Sequence, residues 1–232
     1  LPLITADKAY ATKWEILLYG VPGIGKTTLF ADCPNVLFIE VDDNGHTVLQ
    51  KHPKADAINI FHTRRWSELA AFANALPTSQ LIKGIDTIVV DTISECQVLE
   101  RLKQIGGSPL TEDKWKFNQS IYSQNNFKVM ALVRAIKGCG KSIAWLCHES
   151  TELTDTGEKL VRPAVSATLL STIQANIDGQ FYYKRQGANR VLETDGAGMI
   201  QTKSRFARAR PFVNPTWKEL EPFLTSRMDP NK

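Results

Sequence analysis

The amino-acid sequence predicts an α/β protein: a mostly parallel sheet with flanking helices and a C-terminal antiparallel strand extension. Three observations carry this. Short apolar runs bounded by turn signals alternate with longer stretches of helical period, the pattern of a parallel sheet with crossover helices. A glycine-rich turn, Gly20-Val21-Pro22-Gly23-Ile24-Gly25-Lys26-Thr27, lies between an apolar run and a helix-compatible stretch. After residue 177 the pattern changes to short alternating segments separated by glycines.

The expected strands are residues 14–19, 36–41, 57–62, 86–91 and 142–147, each short and rich in Ile, Val, Leu or aromatic residues, as strands buried on both faces should be. The first helix starts at the glycine-rich turn. Another spans Ser67 to Leu76, with Leu69, Phe72, Ala73 and Leu76 at helical spacing and Pro77 ending it. Two more flank a loop at Gly106-Gly107-Ser108-Pro109, and Trp115 to Ile136 reads as one long amphipathic helix with Ile121, Val129, Leu132, Val133 and Ile136 on its apolar side. The antiparallel extension is expected at Gln180 to Tyr183, Arg190 to Glu193 and Met199 to Thr202, with Gly187, Gly196 and Gly198 at the turns. Residues 1–232 are read as one domain, with a core over about 12–210 and a C-terminal helix and tail over 211–232.

Hydrophobic residues at 43% and charged residues at 22% exclude a disordered chain. No apolar run approaches the ~20 residues of a spanning helix, so no membrane association is expected. A formal net charge of +4 permits a polyanionic partner without requiring one. Cys33, Cys96, Cys139 and Cys147 are widely spaced without metal-site spacing and read as reduced, buried thiols. With no signal-like segment before the first strand, a cytoplasmic location is expected.

The glycine-rich turn fits G-x-x-x-x-G-K-[ST] at every fixed position. Its glycines let successive N–H groups point inward as an anion cradle at the positive end of the following helix. Pro22 stiffens the turn where no N–H is needed. Lys26 reaches the β- and γ-phosphates and Thr27 supplies a hydroxyl to Mg²⁺. Gly20, Val21, Pro22, Gly23, Ile24, Gly25, Lys26, Thr27 and the adjoining Thr28 are the candidate nucleotide-binding residues.

Ile85 to Asp91 is an apolar strand ending in a carboxylate, and in phosphate-loop NTPases such an Asp orients the Mg²⁺ water shell. Val36 to Val41 ends in an acidic turn that can polarise an attacking water, with Asp42 the first choice, Asp43 the second and Glu40 the third. His148, at the carboxyl end of the run from Ser142, faces the crevice where ligands of open α/β sheets bind, and is a candidate γ-phosphate sensor. Residues 150–165 read as a polar, mobile connection whose Lys159 and Arg162 can contact a nucleic-acid backbone. The densest positive charge comes late: Lys184, Arg185, Arg190, Lys203, Arg205, Arg208 and Arg210. Strand alternation places Lys203 and Arg205 on one face, as a pair able to enter a neighbouring subunit's phosphate site.

These motifs together resemble the RecA-like ATPase core, and more narrowly the phage nucleotide-binding proteins that act as single-strand annealing recombinases. The resemblance covers roughly residues 12–210. It implies ATP and Mg²⁺ held by Lys26, Thr27 and Asp91, Asp42 in the place of the catalytic Glu, and His148 in the place of the sensor Gln. It further implies a DNA-binding role for the loop after His148 and an in-trans role for Lys203 and Arg205. The implied protein binds single-stranded DNA and promotes annealing or strand pairing as a ring or filament of identical subunits. A single-strand-binding protein is a further implied partner, and the cell is bacterial or phage-infected. A helicase motor, a small-molecule kinase and a nucleotide-switched assembly protein share the loop. The kinase lacks a recognisable Arg-rich lid here, and the short side chain at Asp42 keeps the switch in play. ATP is favoured over GTP because no Asn/Thr-Lys-x-Asp base-reading motif is present.

Overall fold

A computed structural model describes residues 13–42, 45–104, 106, 119–195, 200–206 and 209–226. In chain order the elements are β1 (Glu15–Gly20), α1 (Lys26–Phe30), β2 (Val36–Glu40), α2 (Gly45–Gln50), β3 (Asn59–His62), α3 (Trp66–Ala75), β4 (Thr87–Asp91), α4 (Ile93–Gln104), α5 (Gln119–Lys137), β5 (Ser142–Leu153), β6 (Lys159–Pro163), α6 (Ala167–Asn176), β7 (Gly179–Gln186), β8 (Asn189–Glu193), β9 (Lys203–Ser204), β10 (Phe212–Val213) and α7 (Trp217–Thr225).

The sheet order is β10-β8-β7-β1-β5-β4-β2-β3, parallel from β7 to β3, with β8 and β10 added antiparallel at one side. Alternation along the central strands splits the core into two layers. Leu17, Tyr19, Ile39, Val90 and Trp145 face Leu69 of α3, Ile93 of α4, Val129 and Val133 of α5 and Leu169 of α6. Ile16, Leu18, Phe38, Ala144 and Phe181 face Phe30 of α1, Leu49 of α2, and Trp217 and Phe223 of α7. The α7 helix starts on a reciprocal cap between Thr216 and Glu219. On the first face a buried polar cluster ties three helices together: Gln97 of α4 bonds Asn126 of α5, and Asn126 accepts from Ser166, the N-cap of α6.

Several elements differ from the sequence reading. The third strand is only Asn59–His62, an edge strand with exposed side chains, because the preceding residues Ala55–Ala57 turn as a 3₁₀ helix. Pro77 lies in a 3₁₀ turn, Leu76–Thr78, that continues α3. The long helix begins at Gln119 within the described residues, and Trp115, like Gly107 to Pro109, lies outside them. Residues 150–165 are not an irregular connection. Strand β5 runs on to Leu153 and folds back through β6 as a β-hairpin, with Gly157 at positive φ in its turn. The late strand is Lys203–Ser204; Ile200 makes a lone bridge to Val161, while Gly196, Gly198 and Met199 lie outside the described residues.

Candidate functional site

Parallel register aligns the carboxyl ends of the central strands. Gly20 sits opposite His148, and Glu40 opposite both Asp91 and His62. Beyond this row the chain leaves β1, turns through the glycine-rich loop and enters α1 at Lys26. Gly25 has φ of +106°, a left-handed conformation that favours glycine, and a Cβ there would lie 2.8 Å from Nη1 of Arg190.

A cavity of about 250 Å³ opens over the loop, and Gly23, Lys26, Thr27, Asp42, Asp91 and His148 line it with Pro22, Gly25, Thr28, Gly45, Val48 and Thr92. The Lys26 ammonium is buried and donates to the carbonyls of Gly20 (2.8 Å) and Val21 (3.0 Å), folded onto its own loop. Burial lowers its pKa, and the nearby Asp91 opposes this. The Thr27 hydroxyl donates to Oδ2 of Asp91 at 2.6 Å. Burial raises the Asp91 pKa, against the Thr27 hydrogen bond and the Lys26 charge. A hydroxyl and a carboxylate beside an anion cradle are the hard oxygen donors that suit Mg²⁺. Of the remaining loop residues, Ile24 packs into the core and the Val21 side chain points to solvent.

Asp42 reaches the cavity from the turn after β2, and its charge helps raise the pKa of Asp91 and Glu40. Asp43, the second choice from the sequence, lies outside the described residues. Glu40 stands behind the cavity, 1% exposed. Burial first, then Asp91 and Asp42, push its pKa up to about 7, and the backbone N–H of His46 offsets part of this without closing a full hydrogen bond. His148 takes a backbone bond to Ser94 Oγ (3.2 Å) and stands 3.8 Å from Glu95. Burial and the Lys26 charge lower its pKa, so the imidazole is neutral at neutral pH.

His148 also lines a second cavity, about 380 Å³, with Glu95, Arg101, Tyr122, Arg162 and Ser166. One imidazole thus forms a wall of both spaces. Arg162 lines this second cavity and is ion-paired with Glu152 across the hairpin. Lys159 is exposed at the start of β6, opposite Leu153 near the hairpin's tip.

Lys203 and Arg205 are placed differently from the sequence reading. The strand ends at Ser204, and β9 pairs with Gly179 and Gln180 at the amino end of β7, the far end of the sheet from the phosphate loop. The Lys203 ammonium donates to the Gln174 carbonyl in the last turn of α6, where a cation complements the helix dipole. Arg205 is exposed, with its N–H on the Asp178 carbonyl. Neither side chain lines its own chain's phosphate cavity. Among the other late cations, Lys184 pairs with Glu193 at 2.9 Å, and Arg208 lies outside the described residues. Arg190 was read only as part of the basic run. It packs over the phosphate loop because the antiparallel β8 carries it there, a relation no local pattern encodes.

Comparison with known proteins agrees with this geometry. A family described as an AAA domain matches residues 12–206. Among solved structures, one titled as the crystal structure of the RadB recombinase superposes with a TM-score of 0.54 at 12% identity, covering 86% of each chain. No match is found among curated proteins. The fold is RecA-like, and the chain belongs to the AAA-domain family, built on a P-loop ATPase core.

Proposed function

We propose that this protein is a Mg²⁺-dependent ATPase that binds single-stranded DNA and promotes annealing or strand pairing as an oligomer, in the manner of the phage annealing recombinases it resembles. The observation that carries the reading is the shared wall at His148: a phosphate cavity on one side, and on the other a cavity bearing Arg162, Arg101 and Tyr122. Cations beside an aromatic ring suit a nucleic-acid strand, through phosphate contact and base stacking. The fold likeness to a recombinase supports the same class.

In this reading the loop amides and Lys26 bind the triphosphate, with Lys26 exchanging its two carbonyl partners for phosphate oxygens. Thr27 and Asp91 hold Mg²⁺, which supplies electrostatic stabilisation to phosphoryl transfer. Asp42 accepts a proton from the attacking water. His148, neutral, hydrogen-bonds toward the terminal phosphate and transmits its presence to the second cavity. Arg190 adds positive charge in cis, while Lys203 and Arg205, remote from their own cavity, serve a neighbouring subunit's site.

ATP turnover measured with single-stranded DNA, duplex DNA and no DNA tests this. Stimulation by single strands above duplex is expected, together with faster annealing of complementary strands. Turnover indifferent to DNA removes recombination from the account and leaves a nucleotide-switched or small-molecule activity.

A further inference from the structure

Glu40, His46 and His62 come from the end of β2, the first turn of α2 and the end of β3, and one ligand atom from each lies within 4.8 Å of the other two. We propose that these three side chains bind a divalent transition-metal ion of the zinc class, at a site separate from the one for Mg²⁺.

The geometry is nearly that of such a site. Nδ1 of His46 and of His62 stand 3.6 Å and 3.5 Å from Oε2 of Glu40. Metal–ligand bonds of about 2.0–2.2 Å in a tetrahedron put neighbouring donors roughly 3.3–3.6 Å apart. The two Glu–His edges are already at that spacing, and the His–His edge lies within 4.8 Å. The imidazole rings face each other edge-on with centroids 5.2 Å apart.

The electrostatics also call for a cation. Glu40 is 1% exposed, and neither carboxylate oxygen has a hydrogen-bond partner among the described residues; nor has Nδ1 of His46. A buried carboxylate is costly unless it is paired or coordinates a metal. The chain is also shaped around this group. A Cβ on Gly45 would lie 1.9 Å from Oε1 of Glu40, so any larger residue there would have to displace this carboxylate. His46 and His62 are 36% and 38% exposed, which leaves an entry path and a fourth position open to water. Two imidazoles with one carboxylate select zinc, cobalt or nickel over magnesium.

Such an ion ties the first turn of α2 and the end of β3 to β2. Glu40 and His46 bracket Asp42, so the ion fixes both ends of the segment that brings this carboxylate to the phosphate cavity.

The test uses metal-stripped, nucleotide-free protein titrated with Co²⁺ and followed by visible absorption. This makes it independent of whether the protein binds DNA or hydrolyses ATP. The expected result is saturation at one ion per chain in excess Mg²⁺, with no thiolate-to-cobalt charge transfer from the four cysteines, and displacement by Zn²⁺. His46→Asn and His62→Asn, both partly exposed and so expected to fold as judged by circular dichroism, should each weaken binding by more than the roughly 10–100-fold that loss of an outer-shell partner costs. Asp91→Asn should retain it. Absence of saturable binding, a thiolate band, or affinity unchanged in both histidine variants would overturn the assignment.

Discussion

Asp91→Asn separates the role of this carboxylate in the fold from its role in binding, because the two effects have opposite signs. The substitution keeps side-chain shape and an oxygen to accept from Thr27, now 2.6 Å away, and removes only the charge. That charge is held in the fold at a cost. Burial puts the folded pKa above its unfolded value, so the folded state binds more protons in the window between the two, and stability falls as pH rises through it. Where it is ionised, the carboxylate is therefore a net liability to the fold, set against a charge-assisted hydrogen bond that becomes a weaker neutral one. The nucleotide-free variant should melt at the same temperature as the parent or higher. Binding should move the other way. A hydrogen bond to a charged group contributes about 1.5–3 kcal/mol, so loss of the carboxylate's hold on the Mg²⁺ shell should weaken Mg²⁺–ATP binding about 10- to 150-fold. Without Mg²⁺ the affinity should be nearly unchanged. Calorimetric titration with Mg²⁺ and with EDTA, alongside thermal melting, reads both quantities. Equal losses with and without Mg²⁺, or a melting temperature lowered by about 4 °C or more, equivalent to roughly 1–2 kcal/mol for a chain of this size, would mean that Asp91 supports the fold rather than the Mg²⁺ shell.

Asp42→Asn should slow hydrolysis far more than it weakens ATP binding, as expected of a group acting in the transition state; steady-state turnover against equilibrium binding checks this, and the same behaviour in Asp43→Asn instead would move the role by one residue. Replacing Lys159 and Arg162 together with Ala should flatten the dependence of log affinity for single strands on log salt by about 0.7–1.4, one to two phosphate contacts. Because Glu152 holds Arg162, Glu152→Gln should strengthen strand binding, and a slope unchanged by either change would place the contact elsewhere. Arg205→Ala should lose turnover yet bind ATP. Mixed with Lys26→Ala subunits, it should recover activity above the weighted sum of the two, while no recovery in sedimenting mixed oligomers would exclude an in-trans role.

Local patterns carried the phosphate loop, the strand ending at Asp91 and the strand through His148, because each is an apolar run meeting a polar group at the sheet's carboxyl edge. The same logic brought Asp42 to the cavity lining. Relations set by register or by return of the chain were not legible. Glu40, His46 and His62 are brought together only by parallel pairing of β2 with β3 and the close turn at Gly45. Arg190 comes over the loop through an antiparallel pairing far along the chain. The stretch 150–165 looked irregular because its residues are polar, yet backbone pairing from Glu149–Pro163 to Leu153–Lys159 makes it a hairpin regardless of side-chain polarity. Lys203 and Arg205 follow strand alternation for only two residues before the ladder ends at Ser204.

The function proposed above requires ATP and single-stranded DNA to bind cooperatively, because His148 walls both cavities. Fluorescence anisotropy with labelled single-stranded and duplex oligonucleotides, each with and without ATP and Mg²⁺ at one fixed salt concentration, measures it directly. ATP with Mg²⁺ should tighten single-strand binding at least tenfold, about 1.4 kcal/mol of coupling, with a smaller effect on duplex. ATP that binds tightly while anisotropy stays flat, or strand affinity that is the same with and without nucleotide, would contradict it.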